Sequence, residues 1–478
     1  MSVLQETWAV PWADLAADHL DMSPLDLAFR EYASQDPDCL SQATFAELNR
    51  PNPLLRYHRE AWPIFIGAAK VRELARVSVG LSQLIRAIPE RLFGNDPSAV
   101  AAYYGISPIF AEIILDPPSG IPGALSRGDF IYGRAGFQCV EFNMSSSLGG
   151  WETTLLSEML FRVPALRRFM DGAGVAVATR HTLRELLTHV VREALRDGLI
   201  EGDELHTVVG SREVGMLSSF PEIPRYLERE YDLALRAGAP FVGGTIAIRD
   251  YADLAQRGEC LYYRDQRLHA VIERSVSSHE EPTFRCFKAG TINLYNGPAA
   301  TIQSDKRNIA LLSESQESDV WNAEERALIR SHVPWVRRLV PGETRYRGEV
   351  AALEDVVLSQ RANMVIKKAV SLGGAHVILG RFTSPEEWAA AVRQAQAGGD
   401  WVVQEHVESL PYLFQHGESG CCPHDVVWGP FVFGTTYGGA ILRVQPKALQ
   451  GIVNLTRGAK EAILLEVDDA SARPRAAV

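Results

Sequence analysis

The sequence predicts a mixed α/β fold with α+β elements, and three observations carry that expectation. Residues 180–275 alternate helical and strand patterns, which argues for a mostly parallel α/β layer. Asp129 to Tyr132 and Phe137 to Phe142 are apolar runs on either side of Gly133-Arg-Ala-Gly136, the pattern of an antiparallel hairpin. Two further strand pairs with glycine turns lie late in the chain: Met364–Lys367 with Ala375–Leu379, and Val426–Phe433 with Ala440–Val444.

In chain order, residues 1–100 read as a mostly helical N-terminal region. Ser23 to Tyr32 is a short helical pattern among Pro and Asp breakers. Val71 to Leu92 places apolar side chains three and four apart, with Arg and Glu between. Pro117, Pro118 and Pro122 break the chain within a second segment, 101–180, which holds the first hairpin, the Ser/Gly loop Asn143–Gly150 and a return to helix over Trp151–Met170. Residues 181–300 form the central α/β unit. Arg180–Arg196 and Tyr226–Ala237 are its helices; Thr207–Gly210, Pro240–Gly244, Leu261–Tyr263 and Ala270–Ile272 are its strands. A fourth segment, 301–467, begins with helices over Lys306–Leu312 and Ala323–His332. A helix over Pro385–Ala397 follows Thr383 or Ser384 as cap. Trp401–Glu405 is a strand, and the closing hairpin turns at Gly438-Gly439. Residues 468–478, rich in Asp, Ala and Arg, read as a flexible tail.

The chain has 478 residues, enough for two to four folding units at roughly 100–200 residues each. Its 46% hydrophobic and 22% charged residues can build a large core. A formal net charge of −11 argues against generic nucleic-acid or anionic-membrane binding, while leaving room for a basic pocket around a small anion. The N-terminus lacks a basic region followed by an apolar run, and Ile106–Leu115 is interrupted by Pro108 and Glu112, so a soluble cytoplasmic protein is expected. Six cysteines without framework spacing fit a reducing compartment. Cys421, Cys422 and His424 lack the second ligand pair of a structural zinc site. Lysine is scarce, at Lys70, Lys288, Lys306, Lys367, Lys368, Lys447 and Lys460 only, so each one invites a specific role.

Two constellations carry chemistry. Glu141 and Asn143 end a strand and point to one face, and a hairpin can bring Asp129 beside Glu141. Three hard oxygen donors on one face suit a Mg2+ that keeps some waters and takes its other ligands from phosphates. Arg127 shares the face of Asp129 and could stabilise charge on a transferred group. Glu-x-Asn alone reads equally well as a solvated hairpin edge. The second constellation is Lys367 at a strand end, followed by Ser371, Gly373 and Gly374. Turn amides there can close over phosphate oxygens while the lysine adds a point charge; a plain hairpin turn has the same composition. The Walker spacing is absent. Gln404, Glu405, His406 and Val407 follow an apolar strand and can run along an adenine edge. Lys306 opens a helix, where a cation opposes the helix dipole and a bound anion would relieve the conflict.

Together these pieces resemble the circularly permuted ATP-grasp family related to the synthetase domain of glutathionylspermidine synthetase. Arg127, Asp129, Glu141 and Asn143 match that family's Arg-x-Asp and Glu-x-Asn motifs. Lys306 and Lys367 match its two late lysines, with Lys368 where proline is usual. Gln404-Glu405 with Leu410-Pro411 looks like its hinge, and Gly438 to Arg443 with Asn454-Leu-Thr-Arg457 looks like its final strand and loop. Glu230 and Val271-Ile-Glu-Arg274 look like parts of its pre-ATP-grasp domain. The resemblance spans about residues 100–460; the first hundred lie outside it.

The resemblance implies an ATP-grasp-like fold with circularly permuted segment order around a central pre-ATP-grasp α/β domain. It implies a carboxylate–amine ligase that forms an amide through an acyl phosphate, converting Mg-ATP to ADP and phosphate. Asp129, Glu141 and Asn143 would hold two Mg2+ ions. Lys306, Lys367, Ser371, Gly373, Gly374 and Gln404 to Val407 would bind ATP; Arg127 and Arg443 would be catalytic. Ser145, Ser146, Ser147 and Arg274 would meet the substrate. The partners would be a small-molecule or peptide carboxylate and an amine acceptor, with no nucleic acid and no membrane; a homodimer is compatible. The competing readings are a small-molecule kinase on the same scaffold, a non-catalytic nucleotide-binding partner protein, and a purely structural α/β protein.

Overall fold

The computed structural model describes residues 11–467 apart from 40, 42–45, 47, 51–54, 56, 117–123, 147, 151–152, 175–176, 201, 213, 215–220, 239–241, 275–280, 372 and 417–419. The chain is a mixed α/β protein, with three main sheets among the described residues. The largest sheet has eight strands among the described residues. Its main path runs Ile64–Gly67, Lys460–Val467, Thr436–Pro446, Gly420–Phe433, Leu125–Gly133 and Gly136–Asn143. The first pair is parallel and the others are antiparallel. The early hairpin thus lies against the late one, with Arg127 opposite Phe431 and Ile131 opposite Val427.

Long-range burial closes this sheet. The helix Ala68–Phe93 buries Leu74, Val77, Leu81, Leu84, Ile85 and Ile88, an apolar stripe at helical spacing, against Phe137, Trp428 and Leu442. The N-terminal helices Trp12–Met22 and Pro24–Ala33 join the same core. Buried His19 meets Asp26 at 2.5 Å through Nδ1 and accepts the Leu413 amide at 3.0 Å through Nε2. An Nε2 that accepts a backbone N–H belongs to a neutral ring, and burial lowers the His19 pKa accordingly.

The second sheet, in the order Asn293–Tyr295, Ala270–Glu273, Glu204–Gly210, Gly243–Arg249, is parallel throughout, as the alternating pattern predicts. Leu261–Tyr263 is an exception. It belongs to an antiparallel meander, Leu254–Arg257, Cys260–Tyr263 and Gln266–Leu268, because links of two residues are too short for the crossover that parallel pairing needs. Of Pro240–Gly244, residues 240–241 lie outside the described residues. The third sheet is antiparallel: Val336–Arg338, Trp401–Glu405, Met364–Lys368 and Val377–Leu379. The helix Pro385–Gly398 packs Trp388 and Val392 beneath it and starts in a capping box of Ser384 and Glu387.

The closing hairpin does not turn at Gly438-Gly439. The strands Gly420–Phe433 and Thr436–Pro446 turn between Phe433 and Thr436, with Gly434 at φ +62°. Gly438 and Gly439 lie inside the second strand, where close approach excludes a side chain: a Cβ on Gly438 would stand 2.3 Å from the Phe433 ring, and one on Gly439 2.8 Å from the Thr182 hydroxyl. The helix expected over Trp151–Met170 is two helices, Thr153–Leu160 and Pro164–Ala173, the second starting at a proline; residues 151–152 and the predicted tail 468–478 lie outside the described residues. No single helix among the described residues is long and apolar enough to cross a membrane.

Candidate active site

The early hairpin pairs Arg127 with Asn143 and Asp129 with Glu141 directly across the strands. All four line one cavity of about 760 Å³. The register then shifts: Phe130 faces Cys139, leaving Val140 as the extra residue of a bulge. The freed Val140 carbonyl accepts Lys367 Nζ at 3.1 Å, and Gln404 Oε1 accepts the same nitrogen at 2.5 Å. Lys306 caps the helix Arg307–Glu314. Its Nζ donates to the Ser371 carbonyl at 2.9 Å and stands 3.3 Å from Glu141 Oε1. The cation at this helix start is therefore balanced by a carboxylate of the chain itself. Through these two lysines the large sheet and the third sheet meet across the cavity.

The electrostatics are dense. Arg443 grips Asp129 with two bonds, Nη2 to Oδ1 at 2.6 Å and Nη1 to Oδ2 at 3.1 Å. Arg127 Nε stands 3.5 Å from the same carboxylate, and Arg127 Nη1 donates to the Gly149 carbonyl at 2.7 Å. Burial opposes the charge on Asp129, yet Arg443 and then Arg127 outweigh it and hold the pKa below the usual carboxylate value. Burial pushes Lys367 down to about 8, with Glu141 opposing the drop and Lys306 adding to it. Burial likewise lowers His406 to about 4. Among the described residues, three buried nitrogens on side chains that line the cavity have no hydrogen-bond partner: Arg443 Nε, Gln404 Nε2 and His406 Nδ1. Arginine and amide nitrogens can only donate, so Arg443 Nε and Gln404 Nε2 are donors that the described residues leave without an acceptor.

The glycine loop forms another wall. Gly373 and Gly374 take φ of +63° and +71°, which glycine adopts without strain. Their carbonyls accept Thr456 Oγ1 at 3.3 Å and Arg457 Nη2 at 2.9 Å, tying this loop to the loop around Asn454, also on the cavity wall. Gln404 to Val407 line the cavity. The amides of Glu405 and His406, however, already donate to the carbonyls of Trp335 and Asn363 at 2.8 and 2.7 Å. The Glu405 carboxylate accepts Tyr346 Oη and Arg347 Nη2, both at 2.9 Å.

The expected substrate residues divide. Ser145 lines the cavity, while Ser146 donates to the Glu273 carbonyl at 2.6 Å and so ties its loop to the parallel sheet. Ser147 lies outside the described residues. Arg274 does not line the cavity; its amide donates to the Gly210 carbonyl at 2.9 Å. Sequence reasoning missed Asp425, Lys447, Arg381 and Phe382 on the wall. Lys447 bridges Glu408 and Asp425 at 3.4 and 3.3 Å, and burial raises the Asp425 pKa. Strand alternation would have put Asp425 on the face of Val427; nothing local links either to Lys447.

No group of three or more His, Cys, Asp and Glu side chains among the described residues is arranged to hold a metal ion. Cys422 Sγ and His424 Nδ1 are 3.8 Å apart, without further ligands in such a group. Asp129, Glu141 and Asn143 lie on one hairpin and line one cavity, and two carboxylates with an amide are the hard-oxygen chemistry that a Mg2+ also bound to water and phosphate would take. No family model matches the chain, and no curated protein matches it either.

Proposed function

We propose that the chain is a circularly permuted ATP-grasp ligase that joins a carboxylate to an amine through an acyl phosphate. One observation carries this reading. A single cavity of about 760 Å³, a size suited to a nucleotide, holds the carboxylates of the early hairpin opposite Lys367 and the glycine loop.

In this reading Asp129, Glu141 and Asn143 hold Mg2+, which supplies charge neutralisation at the phosphate oxygens. Lys306 and Lys367, anchored by Ser371, Val140 and Gln404, take up the remaining phosphate charge. A carboxylate oxygen of the substrate attacks the γ-phosphorus, and the bond from that phosphorus to ADP breaks. The amine nitrogen then attacks the acyl carbon and loses a proton as inorganic phosphate leaves. Arg127, held by Gly149, stabilises the charge on the transferring group, so catalysis is chiefly positioning and electrostatics. Ser145, on the cavity wall, stands where a small polar side chain lets the carboxylate approach.

The test is hydroxylamine trapping with Mg-ATP over a panel of amino acids, short peptides and polyamines. A hydroxamate formed together with ADP is expected. A stable phosphorylated product without hydroxamate would point instead to a kinase, and a chain that binds no Mg-ATP in calorimetry would overturn the nucleotide site itself.

A further inference from the structure

The Asp129 carboxylate is engaged by cations of the chain itself. Arg443 holds both of its oxygens, at 2.6 and 3.1 Å, and Arg127 Nε is 3.5 Å away. The pair is well shielded, with the Arg443 side chain 6% exposed and Asp129 14%. Arg443 reaches Asp129 across the intervening strand: it is opposite Val427, which in turn is opposite Ile131. A forked guanidinium takes one lone pair on each oxygen, the pair of directions that a chelating hard cation would use. A divalent ion can therefore chelate Asp129 through both oxygens only if Arg443 swings off. A buried guanidinium leaves one anion only for another, because stranding it without a partner leaves an uncompensated buried charge. The second anion has a place to arrive. Arg443 lines the same cavity as Arg127 and Lys367, and its buried Nε has no hydrogen-bond partner among the described residues.

Resting on the nucleotide reading above, we propose that Arg443 is a positioning residue that couples the metal to the nucleotide. It keeps Asp129 closed to divalent cations until polyphosphate oxygens draw it away, and the freed carboxylate then takes the metal. Metal and polyphosphate enter as one unit, each strengthening the binding of the other by the same factor. Lysine could not replace Arg443 here, since a point charge cannot block both oxygens at once.

Binding of Mn2+ alone, read from the electron paramagnetic resonance signal of the free ion, tests this without any turnover. Arg443→Met should bind Mn2+ about tenfold more tightly than the parent chain in the absence of nucleotide. Arg443→Lys, which keeps the charge and loses the fork, should show a smaller gain and serves if the methionine variant does not fold. Arg381→Met removes the same charge from the same cavity wall without touching Asp129, and its Mn2+ affinity should stay within roughly twofold of the parent. In calorimetry the Arg443 variants should also bind Mn2+-ADP more weakly, having lost a phosphate partner. A Mn2+ affinity unchanged in both Arg443 variants would overturn the coupling, and so would an equal gain in Arg381→Met, since charge alone would then explain it. The two failures are separable. Absence of Mn2+-ADP binding to the parent chain sinks the nucleotide reading; normal Mn2+-ADP binding with no Mn2+ gain in the variants sinks the coupling alone.

Discussion

Replacing Lys367 with methionine should separate stability from binding. Lys367 is buried, and its pKa of about 8 against an ordinary 10.5 means that the fold disfavours its charge. At about 1.36 kcal/mol per pH unit, that gap amounts to roughly 3 kcal/mol at pH 7. Methionine of similar length removes this cost. It also leaves Val140 O and Gln404 Oε1 without their lysine donor, which costs about 1 kcal/mol for each bond. The net expectation is a variant about 1 kcal/mol more stable than its parent. The pH course follows from linkage. Because the folded pKa lies below the unfolded one, the parent bears the full cost below pH 8 and is relieved of it as pH rises towards 10.5. The advantage of the variant should therefore fade across that window. Urea unfolding followed by tryptophan fluorescence at pH 7 and from pH 8 to 10.5, without metal or nucleotide, measures this. Calorimetry with Mg-ADP should show lost affinity in the same variant. A variant clearly less stable than its parent at pH 7, an advantage that grows with pH, or intact Mg-ADP binding would refute the reasoning.

Three further outcomes follow from the geometry. Gly429→Ala would set a Cβ 2.8 Å from Ile441 Cγ2, 3.0 Å from the Ile441 carbonyl and 3.2 Å from Arg127 Cδ. An overpacking cost of about 1–3 kcal/mol exceeds the roughly 0.5–1 kcal/mol that alanine gains over glycine in a strand, so melting should fall and the displaced Arg127 should slow hydroxamate formation about tenfold; unchanged melting and rate together would speak against this contact. Glu141→Gln should fold normally and release no ADP, since the amide keeps the shape and loses the charge; near-normal ADP release from a folded variant would remove Glu141 from the machinery. His269 accepts the His206 amide at 3.0 Å through Nδ1, and burial lowers its pKa to about 4. With the folded value below the unfolded 6.5, its stabilisation is complete above pH 6.5 and is lost as pH falls towards 4, by up to about 3 kcal/mol; identical acid unfolding of the parent and His269→Gln would contradict it.

The features legible in the sequence were those set by local periodicity. A two-residue repeat and a glycine turn were enough to set Phe137, Gln138 and Cys139 against Tyr132, Ile131 and Phe130, because an antiparallel hairpin with a short turn has little freedom of register. The helix Ala323–His332, the strand Trp401–Glu405 and the cap at Ser384 follow from equally local rules. The parallel central sheet follows from helices long enough to cross between its strands. The bulge at Val140 escaped the pattern, since one extra residue changes pairing without changing composition, and it is this bulge that brings Asp129 opposite Glu141 and Arg127 opposite Asn143. So did the turn of the closing hairpin: Gly438-Gly439 looks like a turn locally, but its glycines answer to Phe433 and Thr182, which touch them only once the sheet and its covering helix have assembled.

What the tertiary structure alone decided is who holds whom. Asp129 and Arg443 stand 314 residues apart, and their pairing depends on the registers of three strands and on an irregularity near Pro430 that no local pattern encodes. The same holds for Lys306 on Glu141, Lys367 on Val140, and the strand Ile64–Gly67 that pairs with Lys460–Val467 from the other end of the chain. Residue type and spacing determine which side chains can share a face. Which face meets which depends on burial summed over the whole sheet, a quantity that exists only after the chain has folded.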